Sequence, residues 1–301
     1  MDTFREQWLI LISTPFYCLI IGMEVLLSHV QHKKTYTLKD TAANIYLLLL
    51  NGGLDLLFRV ATLTILGYFF NHAIINLKNG ITYWIFLFLF EDMMYYWLHR
   101  FDHQIRLFWA VHVTHHSSEL MNFTVGFRSS VFQPFYRFIY FIPIVLFGFK
   151  PLDLLLVYSA TQIWGIFVHT EYIKKMGWLE YFMVTPSHHR VHHGSNSKYL
   201  DKNMGMFLII WDKFFGTFQP ELSESEYEPI KYGLTKNLNN LNPSTIIFHE
   251  WLQIWKDISH KGLGFTDRIN YLIGPPGWSH DGSRQTSKQI REKEIKKTND
   301  N

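Results

Sequence analysis

Five apolar stretches, separated by shorter polar segments, occupy the first 170 residues of the chain. They run over residues 8–27, 42–70, 81–98, 131–149 and 152–168. About 20 apolar residues are needed for a helix to cross a bilayer. The pattern therefore predicts an all-α integral membrane protein with about four to five membrane helices, of which the last two form a hairpin. From residue 174 onward the chain is predominantly polar, which predicts a water-facing region.

Charged residues interrupt the second apolar stretch. Asp55 and Arg59 stand four positions apart, so on a helix they share one face and are expected to pair. Charges at membrane depth are costly and usually face the protein interior. A buried structural ion pair is the expected role of these two residues.

Lysines in the loops predict the orientation of the membrane helices. Residues 29–40 carry Lys33, Lys34 and Lys39, whereas residues 71–80, on the other side, carry Lys78 alone. Excess positive charge marks cytoplasmic loops. The end of the helices that leads into His99 is therefore expected to face the cytoplasm, in an endoplasmic reticulum membrane or a bacterial inner membrane.

Composition narrows the possible chemistry. Aromatic residues make up 17% of the 301 residues, which fits interfacial belts of a membrane protein. A net charge of +3 without basic-aromatic alternation argues against nucleic acid as a partner. Cys18 is the only cysteine, which excludes a disulfide framework and a cysteine-based metal cluster within this sequence.

Histidines are concentrated between residues 99 and 193, at spacings typical of metal ligands. One HxxxH and two HxxHH clusters occur there, and residues at i, i+3 and i+4 share a helix face. Neutral imidazole is a common ligand of transition metals. A catalytic zinc site needs three protein ligands, so this number of histidines predicts two metal ions. The candidate ligands are His99, His103, His112, His115, His116, His169, His188, His189, His192 and His193.

Topology supports one common site for these histidines. The hairpin formed by the last two apolar stretches returns the chain, at His169, to the side that holds His112 and His116. We therefore expect the sequence-distant histidines to meet at one membrane face, in a cytosolic helical cap that holds a dinuclear metal site.

Carboxylates near the histidines are candidates for orienting the imidazole rings. Ligating histidines usually donate their second N–H to a carboxylate or a carbonyl. Asp92 and Glu171 are the main candidates, and Asp102 and Asp201 are further ones. Helix capping and solvated surface charge are the alternative roles for all four.

The histidine clusters resemble those of the fatty acid hydroxylase/sterol desaturase superfamily of membrane di-iron enzymes. The blocks at residues 167–171, 185–194, 201–203 and 209–218 are similar to its alkylglycerol monooxygenase subgroup. The resemblance implies two non-haem iron ions and hydroxylation of a lipid C–H bond with O2, with the carbon next to an ether oxygen as one candidate. It also implies an external reductant: tetrahydrobiopterin, or a cytochrome b5 or ferredoxin partner.

The apolar pattern, the resemblance and the composition together predict four segments. These are membrane helices at residues 1–80, a fatty acid hydroxylase-type catalytic domain at 81–220, a cytosolic or interfacial region at 221–280 and a disordered polar tail at 281–301.

Other functions stay open at this stage. A sterol or fatty-acyl hydroxylase or desaturase of the same superfamily is one alternative. A haem- or metal-binding membrane protein without oxygenase activity is another, although one or two axial ligands would leave the HxxHH clusters unexplained. A zinc hydrolase would need HExxH, and His249-Glu250 is followed by Gln253 where that motif has its second histidine.

Overall fold

The computed structural model describes residues 5–299, which form helices joined by turns and loops, with two isolated β-bridges and no β-strand among them. The α-helices are α1 (Arg5–Val30), α2 (Leu38–Phe70), α3 (Ile81–Gln104), α4 (Arg106–His116), α5 (Arg137–Leu146), α6 (Pro151–Phe167), α7 (Pro186–His192), α8 (Ile210–Phe215), α9 (Pro243–Ile258), α10 (Phe265–Ile273) and α11 (Ser287–Asn299). Turns of 3-10 helix lie at Phe123–Phe127, Gln133–Phe135 and Gly177–Tyr181. The all-α prediction is confirmed.

Two helices, α1 and α2, are long and apolar enough to cross a membrane. They contain 26 and 33 residues, and most of their large apolar side chains are exposed rather than packed inside the protein. Thr37 caps the N-terminus of α2 by accepting a hydrogen bond from the backbone N–H of Asp40. Exposed apolar faces on helices of this length are what lipid contact requires.

The fourth apolar stretch is not one continuous helix. Its helical part is α5, which has only 10 residues and follows a 3-10 turn that contains Pro134. Ten residues rise about 15 Å, which is half of a hydrocarbon core of about 30 Å. Helix α5 is therefore too short to cross a bilayer, so the α5–α6 hairpin does not form two full membrane spans. The total of four to five membrane helices stays a prediction.

The helix ends lie on the sides that the hairpin topology predicts. The α1–α2 loop contacts the loop after α4, where Asn122 donates a hydrogen bond to the carbonyl of Thr35. At the opposite end, the backbone of Ile74 bonds to that of Leu146 near the α5–α6 turn. The end of α6 that carries His169 therefore lies beside α4, as expected.

The predicted Asp55–Arg59 pair is wrong. Arg59 pairs instead with Glu6 of α1, and Asp55 pairs with Arg137 of α5. Both residues face neighbouring helices whose charges lie far away in sequence, and these long-range partners replace the local one. The two ion pairs thereby link α2 to α1 and to α5.

The charged C-terminal segment is helical where the sequence predicted a disordered tail. Helix α11 begins after Thr286, whose backbone N–H bonds to the side chain of Gln289. Arg291 donates a hydrogen bond of 2.7 Å to the carbonyl of Leu200 and lies 3.7 Å from Asp201. Capping and docking against the 200–201 turn stabilise a segment that its composition alone would leave unfolded.

Candidate metal centre

The histidines form two adjacent groups. Within each group the candidate ligand atoms all lie within 4.8 Å of one another. The first group contains His99, His103, His112, His116 and His192, and the second contains His115, His169, His189 and His193. Nine of the ten histidines proposed from the sequence therefore come together, and they do so in two sets as the ligand count predicts.

Each HxxHH cluster contributes to both groups, because neighbouring residues on a helix point about 100° apart. His112 and His116, four apart on α4, join the first group, while His115 joins the second. On α7 the arrangement is reversed, since His189 belongs to the second group and His192 to the first. The adjacent histidines of each doublet therefore face different metal positions.

Backbone carbonyls fix the orientation of four of the nine rings. The Nδ1 atoms lie close to carbonyl oxygens, at 2.8 Å for His99 and Met204, 2.9 Å for His192 and Lys202, and 2.7 Å for His169 and Gly165. A ring that donates its Nδ1–H to a carbonyl presents an unprotonated Nε2 on its other side. These contacts therefore leave Nε2 as the metal-binding atom.

The Nε2 atoms of the rings converge on one another within each group. Distances between them include 3.0 Å from His99 to His112 and 2.9 Å from His189 to His169. Ligand nitrogens bound to one ion at about 2.1 Å are about 3.0–3.4 Å apart. The buried Nε2 atoms of His103, His116 and His192 have no hydrogen-bond partner among the described residues. Buried acceptor atoms that face one another without donors fit bound cations, so the residues present fit two metal ions.

Burial also keeps these imidazoles neutral. It lowers the pKa of His115 to about 4, and it lowers the pKa of His112 and His193 well below the ordinary value, with help from the neighbouring histidines. Only the neutral ring has a lone pair for a metal. His112, His115 and His193 are therefore neutral, with a free lone pair, at neutral pH.

Asp102 is the carboxylate closest to a ligand ring of α4. Its Oδ2 lies 3.7 Å from Nδ1 of His112, which also contacts the Ser130 hydroxyl at 3.1 Å. The carboxylate is fully buried and is held by hydrogen bonds from Gln133 at 3.0 Å and Tyr136 at 2.6 Å. Burial raises the pKa of Asp102 to about 8. The positive charge of a metal bound through His112 would favour the carboxylate form, which in turn stabilises charge on that ring.

Replacing Asp102 with asparagine should weaken metal binding by about 10- to 100-fold, the usual cost of changing a partner of a ligating histidine. Competition with a chelator, followed by elemental analysis, measures this change. Tyr136→Phe is the matched control, because it removes a hydrogen bond but leaves the carboxylate. Equal retention of metal by Asp102→Asn and the native protein would contradict the role.

The carboxylate of Asp92 forms hydrogen bonds with groups other than the histidine rings. Its carboxylate accepts hydrogen bonds from the backbone N–H groups of Phe207 and Leu208 and from the indole of Trp211, and from no histidine in the described part of the chain. The structure thus corrects the expectation for Asp92, which holds the turn before α8 in place.

Glu171 and His188 also lie outside the ring contacts. Glu171 is hydrogen-bonded to Tyr232. His188 belongs to neither group: its side chain takes part in the capping box with Thr185 at the start of α7. The spacing of His188 to His192 placed it on a ligand face, but the first turn of α7 uses its ring for capping.

Asp201, one of the carboxylates that the sequence suggested, contacts the ring of His103. Its Oδ1 lies 3.3 Å from Nδ1 of His103, and its backbone has a φ of 51°, in the left-handed region that asparagine and aspartate tolerate best. Ser130 and the carbonyls that hold the rings were not found from the sequence. No sequence signal marks a backbone carbonyl, since every residue has one.

Two cavities reach the metal centre from different sides. A polar cavity of about 770 Å³ is lined by His103, His116, His192 and His193 together with residues 233–240 and parts of α9 and the segment before α11. An inner chamber of about 90 Å³ is lined by ligands of both groups, including His99 and His169, and by residues of α2 and α6. The centre is therefore accessible to two different molecules.

Comparison with known proteins places this centre in a family. Residues 84–217 match the family model described as Fatty acid hydroxylase. The chain carries a fatty acid hydroxylase domain. That domain runs from α3 to the end of α8 and contains all nine histidines of the two groups.

Relatives of the chain are named as lipid-oxidising enzymes. The chain is 36% identical to alkylglycerol monooxygenase of Homo sapiens over 269 residues, which cover 88% of the chain and 59% of the human protein. It is 37% identical to the Xenopus tropicalis protein of that name over 65% of the chain and 42% of the relative. Human lathosterol oxidase is 30% identical over 49% of the chain and 48% of its own length. The chain thus spans about half the length of these relatives, and no solved structure matches it significantly.

Proposed function

We propose that this protein is a membrane-bound, non-haem dinuclear oxygenase that hydroxylates a C–H bond of a lipid. One observation carries the proposal: nine imidazoles, eight of them buried, converge in two groups inside a fatty acid hydroxylase domain, next to two helices long enough to span a membrane. Names of the relatives support lipid oxidation, and the alkylglycerol relatives favour a carbon next to an ether oxygen.

The metals in this proposal are two iron ions, held by the nine histidines of the two groups. Iron, when bound, supplies the binding and reduction of O2, with one oxygen atom going to the C–H bond and the other to water. This reaction consumes two electrons and two protons from an external donor. The chain's own part is to supply neutral ligands, to exclude bulk water and to position one carbon beside the metals, which is a large part of what such a site contributes.

The polar cavity supports a small molecule as the electron donor. Its volume of about 770 Å³ lies within the range of about 300–1,000 Å³ typical of small-molecule sites, and it touches ligands of both groups. We propose a tetrahydrobiopterin-like donor there, ahead of a cytochrome b5 or ferredoxin partner. The lysines near the α1–α2 loop support placing this cavity on the cytoplasmic side of an endoplasmic reticulum or bacterial inner membrane.

Elemental analysis and an oxygen-isotope experiment test the function. Purified protein in lipid nanodiscs is expected to hold about two irons per chain, and with ¹⁸O2, tetrahydrobiopterin and hexadecylglycerol to release hexadecanal with ¹⁸O in its new carbonyl. An oxidised sterol in a parallel assay would identify the sterol enzyme suggested by the lathosterol oxidase similarity. One haem per chain, or metal-loaded protein that oxidises neither lipid class, would refute the proposal.

A further inference from the structure

A third cavity adjoins the inner chamber on the side of α2. This lateral cleft has a volume of about 250 Å³ and lies between α2, α5, α6 and Glu6 of α1. It shares several lining residues with the inner chamber, among them Asn51, Arg137, Tyr158 and Gln162. We call the place where these four residues lie the junction, and it connects the lateral cleft to the metal centre.

The cleft lies between α2, a candidate membrane span, and the α5–α6 hairpin. Residues of α2 from Leu48 to Thr62 line it on one side, which is a distance of about 21 Å along a helix. Leu155 and Ile166 of α6 and Phe141 of α5 provide apolar walls. Helices α1 and α2 expose apolar side chains outward, so the cleft lies beside helix surfaces that are suited to contact acyl chains.

The junction offers hydrogen-bond donors. The buried amide nitrogen of Gln162 has no hydrogen-bond partner among the described residues. The hydroxyl of Tyr158 accepts a hydrogen bond of 2.8 Å from Arg137, so its own proton can be donated to another oxygen. A buried donor without a partner costs free energy, and a ligand oxygen would recover it.

Both cations of the cleft are already paired. Arg137 is paired with Asp55 and Arg59 with Glu6. A phosphate or carboxylate would have to compete with these carboxylates in a site largely removed from water, where an uncompensated charge is costly. The junction therefore fits an uncharged group with hydroxyl or ether oxygens.

We propose that the lateral cleft admits an amphiphilic lipid from the bilayer and that Gln162 and Tyr158 bind its uncharged, oxygen-bearing head at the junction. The inner chamber, at about 90 Å³, has room for about three water molecules of about 30 Å³ each. Such a chamber has room only for the carbons next to the head, which lie beside the metals. The rest of the alkyl chain lies in the cleft. Oxidation then takes place within a few bonds of the head. This assignment deepens the proposed function and rests on it.

Two neighbouring glycines of α2 test the route. Gly52 lines the lateral cleft, Gly53 does not, and a side chain at either position would meet open space. Gly52→Phe should therefore block the cleft, while Gly53→Phe carries the same change in helix propensity outside it. With a photoreactive hexadecylglycerol in nanodiscs, we expect crosslinks to α2 and α6 in the native protein and in Gly53→Phe, and loss of at least nine-tenths of them in Gly52→Phe. Equal crosslinking in both variants would overturn the route.

Binding measurements on the metal-loaded protein test the head group. Gln162→Leu and Tyr158→Phe should each raise the Kd for hexadecylglycerol by about 3- to 10-fold, the usual worth of one hydrogen bond. Hexadecyl phosphate should bind the native protein at least about 10-fold more weakly than hexadecylglycerol, because the cleft offers its phosphate no unpaired cation. Unchanged Kd values in both variants, or equal affinity for the phosphate, would overturn the assignment.

The tests of the cleft can fail independently of the tests of the proposed function. Crosslinking and binding do not depend on turnover, and metal content is measured in every variant. If the native protein binds hexadecylglycerol in the cleft but oxidises no lipid, the proposed function fails while the cleft assignment stands. If it oxidises lipids but Gly52→Phe is fully active and fully crosslinked, the cleft assignment fails alone.

Discussion

His116→Ala should remove the metal ion of the first group and leave that of the second, whereas His115→Ala should do the reverse. The two residues are adjacent in sequence, yet their rings belong to different groups. Elemental analysis should therefore show about one ion per chain in each variant. Lipid oxidation should fall by at least about 100-fold in both, since even changes beside a ligand cost about 10- to 100-fold.

The matched comparison for these variants is the second doublet. His192→Ala should behave like His116→Ala, and His193→Ala like His115→Ala, because the α7 doublet is divided between the same two groups. His72→Ala serves as the control: its ring contacts the carbonyl of Tyr68 at the opposite end of the helices and should leave metal content unchanged. Loss of metal from His72→Ala would contradict the placement of the centre.

Arg128→Met should destabilise the fold by about 3–5 kcal/mol, the usual cost of leaving one member of a buried ion pair without its partner. Arg128 is fully buried, and its Nη1 lies 2.7 Å from Asp40 Oδ1 and 2.8 Å from Asn44 Oδ1. Its Nε also donates to Ser117 at 3.0 Å. The Arg128–Asp40 pair therefore fixes the start of α2 against the end of α4, which carries His112, His115 and His116.

Denaturant unfolding in detergent, monitored by circular dichroism, measures the effect. The double variant Asp40→Leu/Arg128→Met is the control, because replacing both charges removes the unpaired carboxylate and should recover much of the lost stability. The carbonyl of Arg128 lies 3.1 Å from Nδ1 of His115, so the single variant should also lose metal from the second group more readily. If both variants unfold at the same denaturant concentration, the cost lies in lost packing rather than in the unpaired charge.

The amino-acid sequence by itself determined the helical class, the two long apolar helices and nine histidines that come together in the candidate metal centre. Histidine spacing is a local property: residues four apart meet on any helix, so spacing alone was enough to pair His99 with His103 and His189 with His193. The hairpin rule likewise placed His169 beside α4, because a chain that turns back returns to the side it left.

Only the tertiary structure decided how these ligands divide between two metal positions. The division depends on the angles at which α3, α4 and α7 approach one another, and side-chain spacing along one helix carries no such information. The same limit explains Asp55 and Arg59, whose partners lie on other helices, and Asp92, which holds a turn more than a hundred residues later. It also explains the carbonyls that orient the rings: every residue carries one, and only packing selects those that face a histidine.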